Sequence, residues 1–244
     1  MSLKMWKTSM RNEIFLVVGG RSNAYFIPTA KGNILVDTSV RSDYTKLRRH
    51  IKSLHLVSPE VTYLVLTHSH FDHCQNVKQI KEEDECQVIL GEHEAECVKK
   101  GYTPIPMGAY TFTKFLSQIG KRMGSKRFGY HSFVADILVK DKYELMKEDI
   151  KIDLISTPGH SIGSISVIVD DDIAIVGDTI IGVISDWIYP PFADDGVELI
   201  SSWQKLLTTG CTLFLPGHGS PITRAMLEKN YHKYAEKFQL EDME

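Results

Sequence analysis

Three histidines and an aspartate fall within six residues in His68-Ser69-His70-Phe71-Asp72-His73. They follow Val61-Thr62-Tyr63-Leu64-Val65-Leu66, an apolar run that reads as a buried strand. Alternate residues at a strand end point the same way, so His68 and His70 can share one ion. A turn into a following helix then brings Asp72 and His73 to a neighbouring position. Imidazole and carboxylate donors without thiolate suit Zn2+, with Mn2+ or Fe as rivals. Three later segments have the same grammar of strand end plus small residues: Thr157-Pro158-Gly159-His160-Ser161, Val176-Gly177-Asp178-Thr179 and Leu215-Pro216-Gly217-His218-Gly219. Pro-Gly and Gly-Asp are common turns, so each segment alone says little. Together, in this order behind a long apolar strand, they point to a metal centre.

The elements that must position these residues alternate between strand and helix, which predicts an α/β core. Asn12–Val18, Ala24–Pro28 and Asn33–Thr38 read as strands, the last ending in Asp37-Thr38, and Asp43–Leu54 reads as a basic helix. A helix to about Glu83, a strand over Gln87–Leu90 and a helix from about Glu92 follow the histidine motif. The second half repeats the order, with strands at Asp149–Ser156, Ser164–Val169 and Ile173–Val176 and a loop over Gly182–Gly196. A helix at about Val197–Thr208, a strand Cys211–Leu215 and a helix from about Thr223 complete it. Asp170-Asp171-Asp172 reads as a solvated hairpin turn. Residues 101–135 interrupt the pattern: Phe112, Phe115, Leu116, Ile119 and Met123 recur at helical spacing, and Phe112 and Phe115 are expected to pack the insertion's own helix. No Pro/Ser/Gly linker divides the chain, so 1–244 is expected to be a single domain carrying a partly helical insertion.

With 244 residues, 43% hydrophobic and 24% charged, the composition excludes disorder, collagen and coiled coil. A net charge of −3 gives no global bias towards nucleic acid or membrane. No apolar run approaches the ~20 residues needed to span a bilayer. The start of the chain lacks a signal-peptide apolar region, and the four cysteines form no C-x-x-C pair. A cytoplasmic protein with free thiols is the expectation, its oligomeric state open. One contrast is local. Residues 101–135 hold Lys114, Lys121, Arg122, Lys126 and Arg127 and no acid, leaving 23 basic against 31 acidic residues elsewhere.

The set Asp37, His68-x-His70-x-Asp72-His73, His160, Asp178 and His218 resembles the metallo-β-lactamase superfamily, over nearly the whole chain from Asp37 to Gly219. The resemblance implies a four-layer αββα sandwich with two metal ions at one edge, between the sheets. By matching positions, it implies that His68, His70 and His160 bind the first metal. Asp72, His73 and His218 would bind the second, with Asp178 bridging both. Asp37 would orient a ligand by hydrogen bonding. Two metals roughly 3.5–4 Å apart can hold one hydroxide and lower its pKa towards neutrality. Asp72, beside the bridge, is the residue expected to orient that hydroxide or accept its proton. Hydrolysis of a small ester, thioester, lactone or phosphoester follows, on a small-molecule substrate and away from membranes.

Subfamily patterns narrow this. The antibiotic-hydrolysing members lack a carboxylate at the bridging position and are exported, whereas Asp178 is present here. Flavodiiron-type members carry Glu where His70 stands. Acyl-homoserine lactonases have a Tyr shortly after the bridging Asp, where this chain runs Asp178-Thr179-Ile180-Ile181. The Gly177-Asp178-Thr179 and Pro216-Gly217-His218-Gly219 contexts look most like glyoxalase II, but the roughly 25 residues after His218 are too few for its glutathione-binding extension. Two alternatives are a nuclease of the same superfamily, favoured by the basic insertion but lacking room for a clamping domain, and a mononuclear iron persulfide dioxygenase. For substrate contacts the expectation is a pocket wall from Trp187, Tyr189 and Phe192. Arg122 and Arg127, the better anion forks, are candidates for an anionic group.

Overall fold

The central strands are apolar at consecutive positions, which is the pattern of strands covered on both faces. The structure, a computed structural model, describes residues 3–146 and 148–240 and shows what covers each face. Of the residues singled out above, the side chains of Leu116 and Lys121 lie outside the described ones.

The first sheet holds β1 (Met5–Lys7), β2 (Glu13–Val18), β3 (Ala24–Ile27), β4 (Asn33–Val36), β5 (Val61–Val65), β6 (Gln87–Gly91) and β7 (Ile137–Val139) in chain order. Strands β1 to β4 pair antiparallel, and β4 to β7 pair parallel. The second sheet holds β8 (Lys142–Met146), β9 (Ile152–Ser156), β10 (Ile165–Val169), β11 (Ile173–Gly177), β12 (Leu213–Pro216) and β13 (Ile222–Thr223), in the order β13-β12-β11-β10-β9-β8. Here β11 and β12 run parallel and the other neighbours antiparallel.

Period-two alternation sends each strand's side chains to two different cores. Ile34 and Val36 of β4 point between the sheets, where they meet Val167 and Ile175. Leu35 points outward to Leu47 and Ile51 of α1 (Tyr44–Lys52) and to Val77 and Ile80 of α3 (Val77–Asp84), which follows the single-turn α2 (Phe71–Cys74). Val98 of α4 (Ala95–Lys100) joins that outer layer. On the far side, Ala174 and Val176 of β11 meet Leu199 and Trp203 of α6 (Gly196–Leu207) and Leu227 and Tyr234 of α7 (Arg224–Phe238). The layers are helix, sheet, sheet, helix. At about 1.5–3 kcal/mol for each fully buried large aliphatic side chain, these three clusters supply the main driving force.

Several edges differ from the sequence reading. β1, β7, β8 and β13 were not anticipated, and Cys211–Leu215 is strand only from Leu213. Asp170 is not a solvated turn residue. It is buried and accepts hydrogen bonds from the Thr8 hydroxyl (2.6 Å), Asn12 Nδ2 (2.7 Å) and the Lys151 amide (3.0 Å). The hairpin turn is real, with both Asp170 and Asp171 at φ 53°, but its first carboxylate ties the N-terminal segment to the second sheet. In the insertion, α5 (Thr111–Phe128) forms with a break at Gly124 (φ 51°, ψ −149°). Its Phe112 and Phe115 do not pack inward: they are 70% and 60% exposed. Among the described residues no helix is long and apolar enough to cross a membrane.

Candidate metal centre

Chemistry-bearing residues gather where five strands end. Asp37 follows β4, His68 follows β5, His160 follows β9, Asp178 follows β11 and His218 follows β12. All five strands leave their sheets at the same edge, so loops far apart in sequence converge. Gly177 has to be glycine: its φ is 52°, and a Cβ there would lie 2.4 Å from Thr67 Oγ1.

Three groups of ligand-capable side chains form, with donor atoms within 4.8 Å of one another: His68, His70 and His160; His68, His73 and Asp178; and Asp72, His73 and His218. All seven residues named from the sequence motifs are therefore in one cluster. His70 Nδ1 lies 2.9 Å from His160 Nε2, and His73 Nε2 lies 3.3 Å from His218 Nε2. Asp178 stands between the groups. Its Oδ1 is 3.5 Å from His73 Nε2, and its Oδ2 is 3.7 Å from His160 Nε2 and 3.2 Å from His218 Nε2. Asp72 Oδ2 is 3.5 Å from His218 Nε2.

Outer hydrogen bonds orient the rings. His73 donates from Nδ1 to Asp37 Oδ2 at 2.9 Å, so its Nε2 faces inward. Thr67 donates its hydroxyl to the same oxygen (2.7 Å) and its amide to Oδ1 (2.9 Å). With its proton committed to Asp37, Thr67 Oγ1 accepts from His68 Nδ1 at 3.1 Å. His160 donates from Nδ1 to the Phe192 carbonyl at 2.9 Å. Each arrangement places a ring proton outside and leaves the inward nitrogen to carry the lone pair once the ring is neutral, the tautomer that a metal-ligating histidine needs. Two inward atoms, His68 Nε2 and Asp178 Oδ1, are buried without any hydrogen-bond partner. Unpaired buried polar atoms are costly, and a cation shared among them removes the cost. The donor set of imidazoles and carboxylates fits a divalent metal ion.

Electrostatics agree. Burial and the neighbouring histidines push His68 and His70 well below the ordinary imidazole range, so both stay neutral. Burial also opposes charge on His73, but Asp178, Asp37 and Asp72 overcome it and raise this histidine to about 10. Against its own burial, Asp178 is held well below the usual carboxylate range by His218, His73 and His160. Positive charge is thus favoured at the point where the inward donors meet.

Above the cluster lies a pocket of about 530 Å³. Ile105, Pro106, Ile119, Met123 and Phe128 of the insertion form one wall, and Val183, Pro191 and Phe192 form part of the other. Backbone pairing sews the walls together, Ala109 donating to Pro191 and Ala193 to Met107, both at 2.9 Å. Of the substrate contacts expected from the sequence, Phe192 lines the pocket. Trp187 does not; it donates from Nε1 to Tyr110 OH (3.1 Å) and packs edge-on against that ring, fixing the start of α5. Tyr189 is buried in the outer core, stacked on Tyr234 with centroids 4.7 Å apart. Arg122 and Arg127 are exposed and do not line the pocket, and among the described residues no Lys or Arg does.

Sequence reasoning missed the residues that brace the loops. The buried Glu94 accepts from the Ser69 hydroxyl and, at 2.6 Å, from the Ser161 hydroxyl, tying the His68–His70 loop to the His160 loop. Asn23 Nδ2 donates to Pro216 O (2.9 Å) and Gly219 O (3.1 Å), and Tyr25 OH donates to Pro216 O (2.7 Å), holding the His218 loop. No local motif marks them.

Comparison with known proteins adds to this geometry. A sequence profile of the metallo-beta-lactamase superfamily matches residues 17–218. A protein of Bacillus subtilis named a probable metallo-hydrolase is 28% identical over 225 residues, covering 90% of this chain and 95% of that protein. A beta-lactamase-like protein 2 homolog of Caenorhabditis elegans is 27% identical over 210 residues, 85% of this chain; the match spans only 59% of the nematode protein. Among solved structures, a subclass B3 metallo-beta-lactamase of Bradyrhizobium japonicum superposes with a TM-score of 0.66 at 19% identity, covering 93% of this chain and 89% of that one. At that identity the likeness concerns the fold. An archaeal superfamily protein from Sulfolobus tokodaii gives 0.64, also at 19%, over 94% and 87% of the two chains. Profile, fold and motif order agree: this chain belongs to the metallo-β-lactamase superfamily.

Proposed function

We propose that the protein is a dinuclear metal-dependent hydrolase of a small ester, thioester, lactone or phosphoester. In this reading His68, His70 and His160 hold one ion, Asp72, His73 and His218 hold the second, and Asp178 spans both. The observation that carries it is the pair of buried, unpartnered atoms, His68 Nε2 and Asp178 Oδ1, within one convergent donor set. Zinc is the ion this thiolate-free set suits best. When bound, such a pair supplies a water of lowered pKa and an electrophile for the oxygen that gains charge.

The chain's own side chains do the rest. Asp37 and Thr67 fix the His73 and His68 rings, the Phe192 carbonyl fixes His160, and Glu94 keeps their loops in register. Asp72 lines the pocket and sits beside His218, which supports its reading as the acceptor of the attacking water's proton. The apolar walls above exclude bulk water and strengthen each electrostatic contact at the floor. Both sheets contribute ligands, which supports treating the chain as one domain. A superfamily nuclease would need cations along the walls for a phosphate backbone, and none lines them among the described residues.

Metal-stripped protein, reconstituted with zinc or manganese, should turn over at least one member of a panel of esters, thioesters, lactones and phosphodiesters. Asp72→Asn should lower kcat by about 10²–10⁴-fold, the usual contribution of a positioned proton acceptor. Turnover equally fast in stripped protein would refute metal-assisted hydrolysis.

A further inference from the structure

The pocket separates polarity from apolarity by depth. Among the described residues its polar lining side chains are those of His70, Asp72, His160, Asp178 and His218, at the floor, and Thr103. The Thr103 hydroxyl is already engaged, 2.6 Å from both Ser69 Oγ and Tyr130 OH. What rises from the floor is hydrocarbon: Ile105, Ile119, Met123 and Phe128 on one side, Val183 and Phe192 on the other. Phe128 is held by Phe71, ring centroids 5.0 Å apart, so that wall is anchored to the metal-motif helix itself. Ile119, Met123 and Val183 remain 39%, 46% and 63% exposed, so the apolar surface continues from the pocket to the outside. Soluble proteins leave contiguous apolar surface exposed mainly where something binds.

A substrate for such a site carries its polar atoms at one end. Peptidyl, glycosyl or nucleotide substituents would leave hydrogen-bonding groups unpaired against the walls, at a cost the walls cannot offset. A volume of about 530 Å³ is in the range of small-molecule sites. Resting on the hydrolase reading above, we infer that the substrate is an acyl ester, thioester or lactone whose acyl part is an aliphatic chain. The scissile carbonyl sits at the His/Asp floor, and the chain runs between α5 and the 181–192 loop. Water gives its hydroxyl to the acyl carbon, the C–O or C–S bond breaks, and the leaving oxygen or sulfur takes the remaining proton. The products are a fatty acid and an alcohol or thiol, or a hydroxy acid from a lactone. This differs from the anionic substrate that the charge of the insertion suggests, because the apolar face of α5 meets the pocket and none of its basic side chains does among the described residues.

The test uses zinc-loaded full-length protein, p-nitrophenyl esters from acetate to decanoate, and calorimetry with 1-butanol and 1-octanol as unreactive probes. Burial of each methylene predicts a rise in kcat/KM of about fourfold until the chain fills the pocket, and tighter binding of octanol than butanol. Met123→Glu and Val183→Glu, both at the partly exposed mouth, should each weaken octanol binding about tenfold and flatten the chain-length series. Turnover independent of chain length, with octanol bound no better than butanol, overturns the inference and leaves the hydrolase reading intact. No turnover on any ester or on the thioester, lactone and phosphodiester panel, with octanol still preferred and the preference lost in the variants, overturns the hydrolase reading and the substrate assignment resting on it, leaving an apolar binding pocket.

Discussion

Replacing Asp37 by Asn changes one oxygen to an amide nitrogen and leaves the backbone content, because Asn tolerates the left-handed conformation that Asp37 adopts at φ 60°. Oδ1 can go on accepting from the Thr67 amide at 2.9 Å. The new amide group then sits where Oδ2 accepts from Thr67 Oγ1 and His73 Nδ1, so donor meets donor twice. Flipping the amide only moves the clash to the Thr67 amide. Thr67 can rotate its hydroxyl; His73, protonated on both nitrogens in the metal-free parent, can relieve the conflict only by giving up its Nδ1 proton and keeping the one on Nε2, the atom that faces His218 and Asp178. The variant thus blocks one donor of the Asp72/His73/His218 group and spares the His68/His70/His160 group. Loss of such an outer partner weakens metal binding about 10–100-fold, or roughly 1.4–2.7 kcal/mol. Zinc titration against a competing chelator should show one site weakened by that factor and the other little changed. Long-range 15N correlation NMR of the zinc-free variant should show His73 protonated on Nε2 alone, where the zinc-free parent carries protons on both ring nitrogens. Two sites of unchanged affinity, or a His73 that keeps its Nδ1 proton, would refute the claim that Asp37 sets this ring's tautomer.

Other outcomes follow from the same geometry. Glu94→Gln turns one acceptor toward Ser69 or Ser161 into a donor; a loss of about 1.5–3 kcal/mol should lower the melting temperature by roughly 3–12 °C, and an unchanged melting curve would show that the brace is dispensable. In Gly217→Ala the new Cβ would lie 2.3 Å from Asp178 Oδ1 and 2.7 Å from His73 Cε1, so metal retention should fall while far-UV circular dichroism is kept. Zinc binding at pH 7.5 should release at least one proton per chain, because His73 stays protonated up to about 10 in the metal-free protein; affinity should therefore fall as the pH falls, and a titration giving the same heat in buffers of different ionisation enthalpy would contradict this. Chelation should leave the secondary structure intact, since the apolar clusters exclude the ligands, and should lower the melting temperature by linkage, by about 2.7 kcal/mol relative to metal at 100 times its Kd.

The parts of this protein legible in its sequence are those encoded locally. Ile34-Leu35-Val36 and Leu64-Val65-Leu66 are apolar on both faces, and strands of that kind in a sandwich are buried whatever surrounds them. The seven ligand-type residues announce themselves because each sits in a short His/Asp/Gly/Pro context. What escaped depends on partners far along the chain. Glu94 meets Ser161 across 67 residues and Asn23 meets Pro216 across 193, with no local pattern at either end. Tyr189, flanked by Pro190, has the local look of a pocket residue, yet its stacking on Tyr234 and Phe238 of α7 buries it elsewhere. β1 and β8 were missed because their half-exposed residues, such as Lys142-Tyr143-Glu144, break the apolar pattern. The helical period of α5 was visible, but period alone does not say whether the apolar face meets a core, a pocket or solvent.

The claim on which the rest depends is that one cluster of seven side chains holds a pair of ions. Elemental analysis of protein purified without added metal, and again after stripping and zinc reconstitution, tests it most directly when run beside Asp178→Ala. The account predicts two equivalents per chain in the parent protein and lower occupancy of both sites in Asp178→Ala, whose side chain lies within 3.7 Å of His160 and 3.2 Å of His218. A single iron equivalent would instead favour the persulfide dioxygenase alternative, and a parent protein that holds no metal, or an Asp178→Ala variant that keeps two tightly bound ions, would contradict the account.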